Sequence, residues 1–314
     1  MTTDWKLEDV SSQKGKIAVV TGANAGLGYE TAKALAQLDM EVVMACRNLS
    51  KGEAAKNKLL KAYPQARLRL MSLDLGSMSS VRKFASNYAR RYQQLDLLVN
   101  NAGVMMTPYR ITEDGFEQQL AINYLGHFLL TGLLLPQLEA AGQARVVSLS
   151  SLSYKGRDIY FDDLFFKKGY SAQKAYGQSK MACLMYAYEL QRRLQAGGHT
   201  TLSLAAHPGI SQTNLTRHLP GIVHFLANLT GPLLTQSAAK GALPTLRAAL
   251  DDNLKGGEFL GPDGLGEFWG KPVVVDSDDV SKDPHRADRL WQVSEELTGI
   301  HYLDKTRETA KKNN

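Results

Sequence analysis

KIAVVTGANAGLG, from Lys16 to Gly28, is the stretch on which the fold turns. A β-rich run, KIAVVT, passes without a linker into Gly22-Ala23-Asn24-Ala25-Gly26-Leu27-Gly28, and the helical pattern GYETAKALAQLD follows. Glycines in such a turn let the backbone bend sharply and approach a pyrophosphate, which then rests on the N–H groups at the helix N-terminus. A Gly-rich turn alone marks only a turn. Its place between a first strand and a first helix points to a dinucleotide site with Gly22, Asn24, Gly26, Leu27 and Gly28 as cofactor neighbours.

Outward from this unit the same alternation repeats. EVVMAC (from Glu41), RLRLMSL (from Arg67), LDLLVNNA (from Leu95), ARVVSLSS (from Ala144) and TLSLAAHPG (from Thr201) each read as a buried parallel strand. Between them lie segments such as MSSVRKFASNYARRY, with apolar residues at three- and four-residue intervals. Strand–helix alternation of this kind implies an α/β fold, a Rossmann-type, doubly wound parallel sheet with helices on both faces. No repeat or low-complexity linker interrupts it. One domain over residues 1–314 is expected, with 16–200 mainly for cofactor binding and catalysis and 201–314 mainly a substrate lid and C-terminal extension.

Of 314 residues, 44% are hydrophobic and 22% charged, enough for a sizeable core and too ordered a composition for disorder. Lys and Arg exceed Asp and Glu, 37 against 31, for a formal charge of +6, part of it in the terminal run KTRETAKKNN. That excess suits a phosphate-bearing ligand, but no basic stripe for nucleic acid is visible. Cys46 and Cys183 are too few for a disulfide framework, lack metal-ligand spacing, and read as buried thiols. The opening MTTDWKLEDVSSQKGK is neither a secretory signal nor an anchor. LGHFLLTGLLLPQL and LPGIVHFLANLTGPLL fall short of the ~18 uninterrupted apolar residues of a membrane span. A soluble, cytoplasmic protein is expected.

The end of the second strand selects the dinucleotide. An acidic residue about 20 positions beyond the glycines would bond free ribose hydroxyls and favour NAD. Cys46-Arg47-Asn48 stands there instead, with Lys51 a turn later. Arg47 can pair with a 2′-phosphate through its fork of donors, so NADP(H) is preferred over NAD(H), with Lys51 the secondary contact. Asp74, with Leu75 after it, is placed to accept from an adenine amino group, a helix N-cap being its rival role. In Asn100-Asn101-Ala102-Gly103 the small residues allow backbone contact, and Asn101 and Gly103 are cofactor candidates; the asparagines can equally tie strands together.

Tyr176 and Lys180, in AYGQSK, leave one face of a helical pattern four residues apart. An unperturbed phenol titrates near pH ~10, and a neighbouring ammonium stabilises the phenolate and brings the proton within reach. By itself the pair could be ordinary helix surface.

With TGANAGLG, NNAG, Ser151 and YGQSK in order, the chain resembles the short-chain dehydrogenases/reductases from about Lys16 to at least Thr213. ACRNLSKGE, INYLGHFLLT, the long interval from Ser151 to Tyr176, and LTGIHYL give it a finer likeness to retinol-dehydrogenase-like proteins and their soluble bacterial relatives. The resemblance implies that Tyr176 is the catalytic acid/base and that Lys180 lowers its pKa and holds the nicotinamide ribose. It implies that Ser151, rather than Ser150 or Ser153, bonds the substrate oxygen, and that Asn123 supports a water relaying protons to Lys180. A helix-distorting structural role is the alternative for Asn123. Pro208, Gly209 and Thr213 would line the nicotinamide, Thr213 bonding its carboxamide, while His207 reads as structural. The membrane-bound retinol dehydrogenases carry an N-terminal anchor that is not expected here, so neither their cellular setting nor their retinoid substrate is carried over on resemblance alone.

The expected activity is NADP(H)-dependent interconversion of a carbonyl and its alcohol. Residues Ile210 to Gln236 read as an apolar lid over a small-molecule substrate, a lipophilic aldehyde, ketone or secondary alcohol, or else as a core helix or a subunit contact. A non-catalytic NADP(H)-binding sensor or scaffold and a peripheral membrane reductase are the rival readings. Related proteins assemble as homodimers or homotetramers, and monomers also occur.

Overall fold

Eight strands pair into one sheet in the computed structural model, which describes residues 4–210 and 236–303. The six expected strands are β1 (Ile17–Thr21), β2 (Glu41–Cys46), β3 (Arg67–Ser72), β4 (Leu97–Asn100), β5 (Arg145–Leu149) and β6 (Leu202–Ala206). Their order, β3-β2-β1-β4-β5-β6, reverses direction beside β1, the point at which open α/β sheets bind ligands. This is a single Rossmann-like fold, mostly parallel.

Helices α1 (Gly26–Gln37), α2 (Leu49–Ala62), α3 (Met78–Ala89), α4 (Gln118–Leu120), α5 (Gly126–Ala140) and α6 (Ala172–Ala196) connect these strands. After β6 come α7 (Ala238–Gly241), α8 (Leu243–Leu250), α9 (Asp279–Lys282) and α10 (Pro284–Thr298). Because strand side chains alternate, β1 divides its apolar residues between two cores. Val19 joins a layer with α3, α5, α6 and α10, while Ala18 and Val20 join one with α1, α2 and α8.

Two features depart from the sequence reading. β3 is not a buried strand: it forms the sheet edge, where Arg67 and Arg69 are exposed, and such charges protect an edge from stray pairing. The sheet also extends past β6 through β7 (Phe259–Pro262), parallel to it, and β8 (Pro272–Val275), antiparallel to β7. FLGP and PVVV are too short, and too rich in Gly and Pro, to show a two-residue period.

LGHFLLTGLLLPQL became α5, whose residues from Gly126 to Gly132 are all buried, so that its first two turns are apolar on nearly every side because nearly every side is covered. One flank packs on α3, and on another Tyr302 fills the space over Gly132, its hydroxyl donating to Phe128 O at 3.2 Å. Among the described residues no helix is long and apolar enough to cross a membrane.

Candidate active site

β1 delivers the chain into the turn at Gly22, whose φ of 68° lies in the left-handed region that favours glycine. A Cβ on Gly28 would lie 2.5 Å from Asn101 Nδ2 and 2.6 Å from Gly22 O, so the first turn of α1 sits directly on the ends of β1 and β4. The helices α2, α3 and α6 open with Asn48, Ser77 and Ser171 accepting bonds from their own first turns, but α1 opens after Ala25 with no side-chain cap. Its free N–H groups and positive dipole end suit a pyrophosphate.

These groups face a cleft of about 850 Å³. Gly22, Asn24, Gly26, Leu27 and Gly28 line it together with Asn101 and Gly103. Arg47, just past β2, and Lys51, in the first turn of α2, line it too. So does Lys58, which sequence reasoning missed; its ammonium lies 5.5 Å from the Tyr29 ring centroid. Two helical turns separate Lys58 from Lys51, so both leave one face of α2, and that spacing was the available signal. Among the described residues none of the three cations pairs with a carboxylate, which fits a ligand bearing several phosphates.

Asp74 and Leu75 are not among the lining residues. Asp74 Oδ1 accepts from Gly76 N at 2.9 Å, while the α3 cap is Ser77, so the rival capping role for Asp74 is not the one the structure gives it. Pro208 and Gly209, which follow β6, are likewise not among the lining residues. Buried His207 joins their turn to a later loop, accepting from Gly209 N at Nδ1 (3.2 Å) and bonding Glu267 Oε2 through Nε2 (2.8 Å). Thr213, most of the expected lid and the KTRETAKKNN tail lie outside the described residues. Burial pushes the Cys46 thiol up to about 11 and raises that of Cys183, which leaves neither poised as a nucleophile.

Tyr176 and Lys180 project from one face of α6, and both are buried. Lys180 Nζ donates to Leu149 O, at the end of β5, at 3.0 Å and lies 6.0 Å from the Tyr176 ring centroid. Ser150 Oγ donates to Lys180 O at 2.8 Å, which commits that hydroxyl to holding α6 against β5. Ser151 comes next in the chain, half-buried, its Oγ accepting from Ser153 N at 3.3 Å. Asn123 lies in a π-helical turn, Ala121–Leu125, leading into α5. Its Nδ2 donates to Val104 O (3.0 Å) and Ser179 Oγ (2.8 Å), and its Oδ1 accepts from Val104 N (2.8 Å). A Cβ on Gly103 would be 3.1 Å from Asn123 Oδ1 and 3.6 Å from Lys180 Nζ, so the cleft wall, the π turn and α6 converge at one point.

A family model described as short chain dehydrogenase matches residues 16–220. The chain belongs to that family. Retinol dehydrogenase 12 of Homo sapiens is 40% identical over 290 residues, 92% of this chain and 88% of the relative. Polyprenol dehydrogenase of Danio rerio is 38% identical over 300 residues, covering 94% and 90%. A crystal structure of an uncharacterised protein from Mycobacterium paratuberculosis superposes with a TM-score of 0.80 at 40% identity, covering 96% of this chain and 99% of that one. The resemblance drawn from the glycine turn, NNAG and YGQSK therefore holds over most of the chain, and the retinol-dehydrogenase likeness with it.

One part of this short-chain dehydrogenase was not anticipated. Buried His127, on α5, bonds Thr21 Oγ1 and Asn123 O, each at 2.9 Å. Burial, and secondarily repulsion from Lys180, lowers its pKa from 6.5 to about 4, against the gain from its bond to Asn123. A depressed folded pKa means that the unfolded chain binds the extra proton between those limits. Stability should be undiminished above about pH 6.5 and fall as pH drops towards 4, by roughly 3 kcal/mol from this group. Urea midpoints of the parent and His127→Gln measured from pH 7 to 4 check this; a gap between them that stays constant with pH would refute it.

Proposed function

We propose that the protein is an NADP(H)-dependent oxidoreductase interconverting a lipophilic aldehyde or ketone and its alcohol, with Tyr176 as acid/base. The observation that carries this reading is the meeting of the cleft wall at Gly103 with Lys180 Nζ and Asn123, one helical turn from the Tyr176 phenol. When bound, the nicotinamide would supply or accept the hydride.

In the reductive direction Tyr176 gives its proton to the carbonyl oxygen as negative charge grows there, and Ser151 Oγ donates a hydrogen bond to the same oxygen. Lys180 Nζ, held by the Leu149 carbonyl, lies near the phenol ring, and an ammonium in that position would stabilise the tyrosinate left behind. Asn123 Oδ1 has one acceptor site left beyond Val104 N, on the side shared with Lys180, which suits a water returning the proton. In oxidation each transfer runs backwards. Arg47, with Lys51 and Lys58, would hold the 2′-phosphate.

For the substrate, support comes from the relatives' names: retinol and polyprenol are both alcohols with large hydrocarbon parts. The test is NADPH and NADH consumption with decanal, benzaldehyde and retinal. NADPH should be strongly preferred, and turnover should rise with hydrocarbon size. Arg47→Asp should move the NADPH/NADH ratio of kcat/KM by about 10- to 100-fold towards NADH, as charge-assisted bonds are lost and an acceptor for ribose hydroxyls is gained. An unchanged ratio would remove Arg47 from cofactor selection.

A further inference from the structure

We propose that His127 is a positioning residue for the proton path, acting as a neutral, Nδ1-protonated imidazole that holds the Asn123 turn against the Thr21–Asn101 corner of the cleft. The inference rests on the reading of Tyr176, Lys180 and Asn123 given above.

Hydrogen-bond bookkeeping fixes the tautomer. Thr21 Oγ1 lies 2.9 Å from Asn101 N and 2.9 Å from Ala102 N, two groups that can only donate. Both lone pairs of the hydroxyl are thereby taken. Its one proton must go outward, to His127 Nε2 at 2.9 Å or to the more distant Val99 O at 3.3 Å. A proton on Nε2 would point at an oxygen with no lone pair to receive it. Nε2 is therefore the acceptor, and Nδ1 carries the proton to Asn123 O, a carbonyl that can only accept. Direction is thus continuous: backbone N–H of the NNAG turn to Thr21, Thr21 to His127, His127 to the Asn123 carbonyl.

Position gives that chain its use. Asn101 Nδ2 also donates to Thr21 O at 2.7 Å, which closes the corner between β1 and β4. On the far side, Asn123 holds Val104 and Ser179, and Ser179 Oγ in turn donates to Tyr176 O at 2.7 Å. The ring is the one side chain in this chain of bonds that spans from the glycine-turn strand to the π turn. The titratable groups facing it are the Lys180 ammonium and the Cys183 thiol, which donates to the same Asn123 carbonyl at 3.2 Å. A second proton on the imidazole would face the ammonium and the saturated hydroxyl together.

Two measurements decide the matter. Side-chain nitrogen NMR of the full chain should show His127 protonated at Nδ1 only, and still neutral at pH 5.5. An Nε2-protonated ring, or one titrating near its ordinary pH, overturns the proposal whatever the enzyme turns over. Among variants, Leu at 127 deletes both bonds, while Gln keeps one acceptor and one donor spaced much like the ring nitrogens. With the fastest aldehyde of the panel above, His127→Leu should lose up to about 100-fold in kcat, as a small misplacement of reacting groups can. Its KM for the aldehyde should hold, and His127→Gln should recover most of the loss. A folded Leu variant with parental kcat, or a folded Gln variant no better than Leu, refutes the positioning role. Should Tyr176→Phe prove fully active, the acid/base reading fails instead, and the NMR result still decides the tautomer.

Discussion

Tyr176→Phe should reduce kcat by about 10²–10⁴-fold, the usual worth of a placed general acid. The substitution removes one oxygen and keeps the ring, so packing at this buried position should survive. A proton transferred only as the carbonyl oxygen gains charge acts in the transition state and not in the ground state, so kcat and kcat/KM should fall together while NADPH binding stays near parental. Calorimetric NADPH titration and stopped-flow single turnovers on the same preparation separate the two quantities. Full turnover by the Phe variant would exclude Tyr176 as the acid. Loss of NADPH binding alongside activity would point to a packing defect instead.

Much of this site could be read from the chain because its signals are local. The Gly22-to-Gly28 turn needs only its place between a strand and a helix, and Tyr176 and Lys180 share a face by helical spacing alone. What stayed hidden depends on contacts distant in sequence. His127 meets Thr21 across 106 residues, and in LGHFLLT it reads as one polar residue in an apolar helix. The π turn at Asn123 has no spacing signal, since one extra residue per turn is set by what packs around it. Edge position is equally invisible within RLRLMS, whose alternating arginines make sense only once β3 has a partner on one side alone.

Ser150, Ser151 and Ser153 illustrate the same division. Family likeness selected Ser151; the fold adds a reason, because Ser150 Oγ is spent on the Lys180 carbonyl. Lys58 lay within reach of the reading that found Lys51, had the helical face been followed two turns further.

Trp291→Ala should destabilise the protein by about 3–5 kcal/mol, the cost of removing a large aromatic from a packed core. Trp291, on α10, is almost fully buried, with ring centroids of Tyr302 at 4.7 Å and Phe128 at 5.0 Å. The Arg193 guanidinium lies 4.3 Å from its ring centroid, and the same arginine bonds Glu189 on α6 and Asp288 on α10, each at 2.7 Å. This cluster clamps α10 onto α6, the helix whose opposite end carries Tyr176 and Lys180. Among the described residues the indole N–H meets no hydrogen-bond partner, so the benefit comes from ring area and the cation above it. Trp291→Phe should therefore cost clearly less than Trp291→Ala, by retaining an aromatic face for Arg193. Urea denaturation followed by circular dichroism gives both values. A loss below about 0.5 kcal/mol for the Ala variant, within the range of ordinary surface changes, would mean that α10 is not part of the cooperative core.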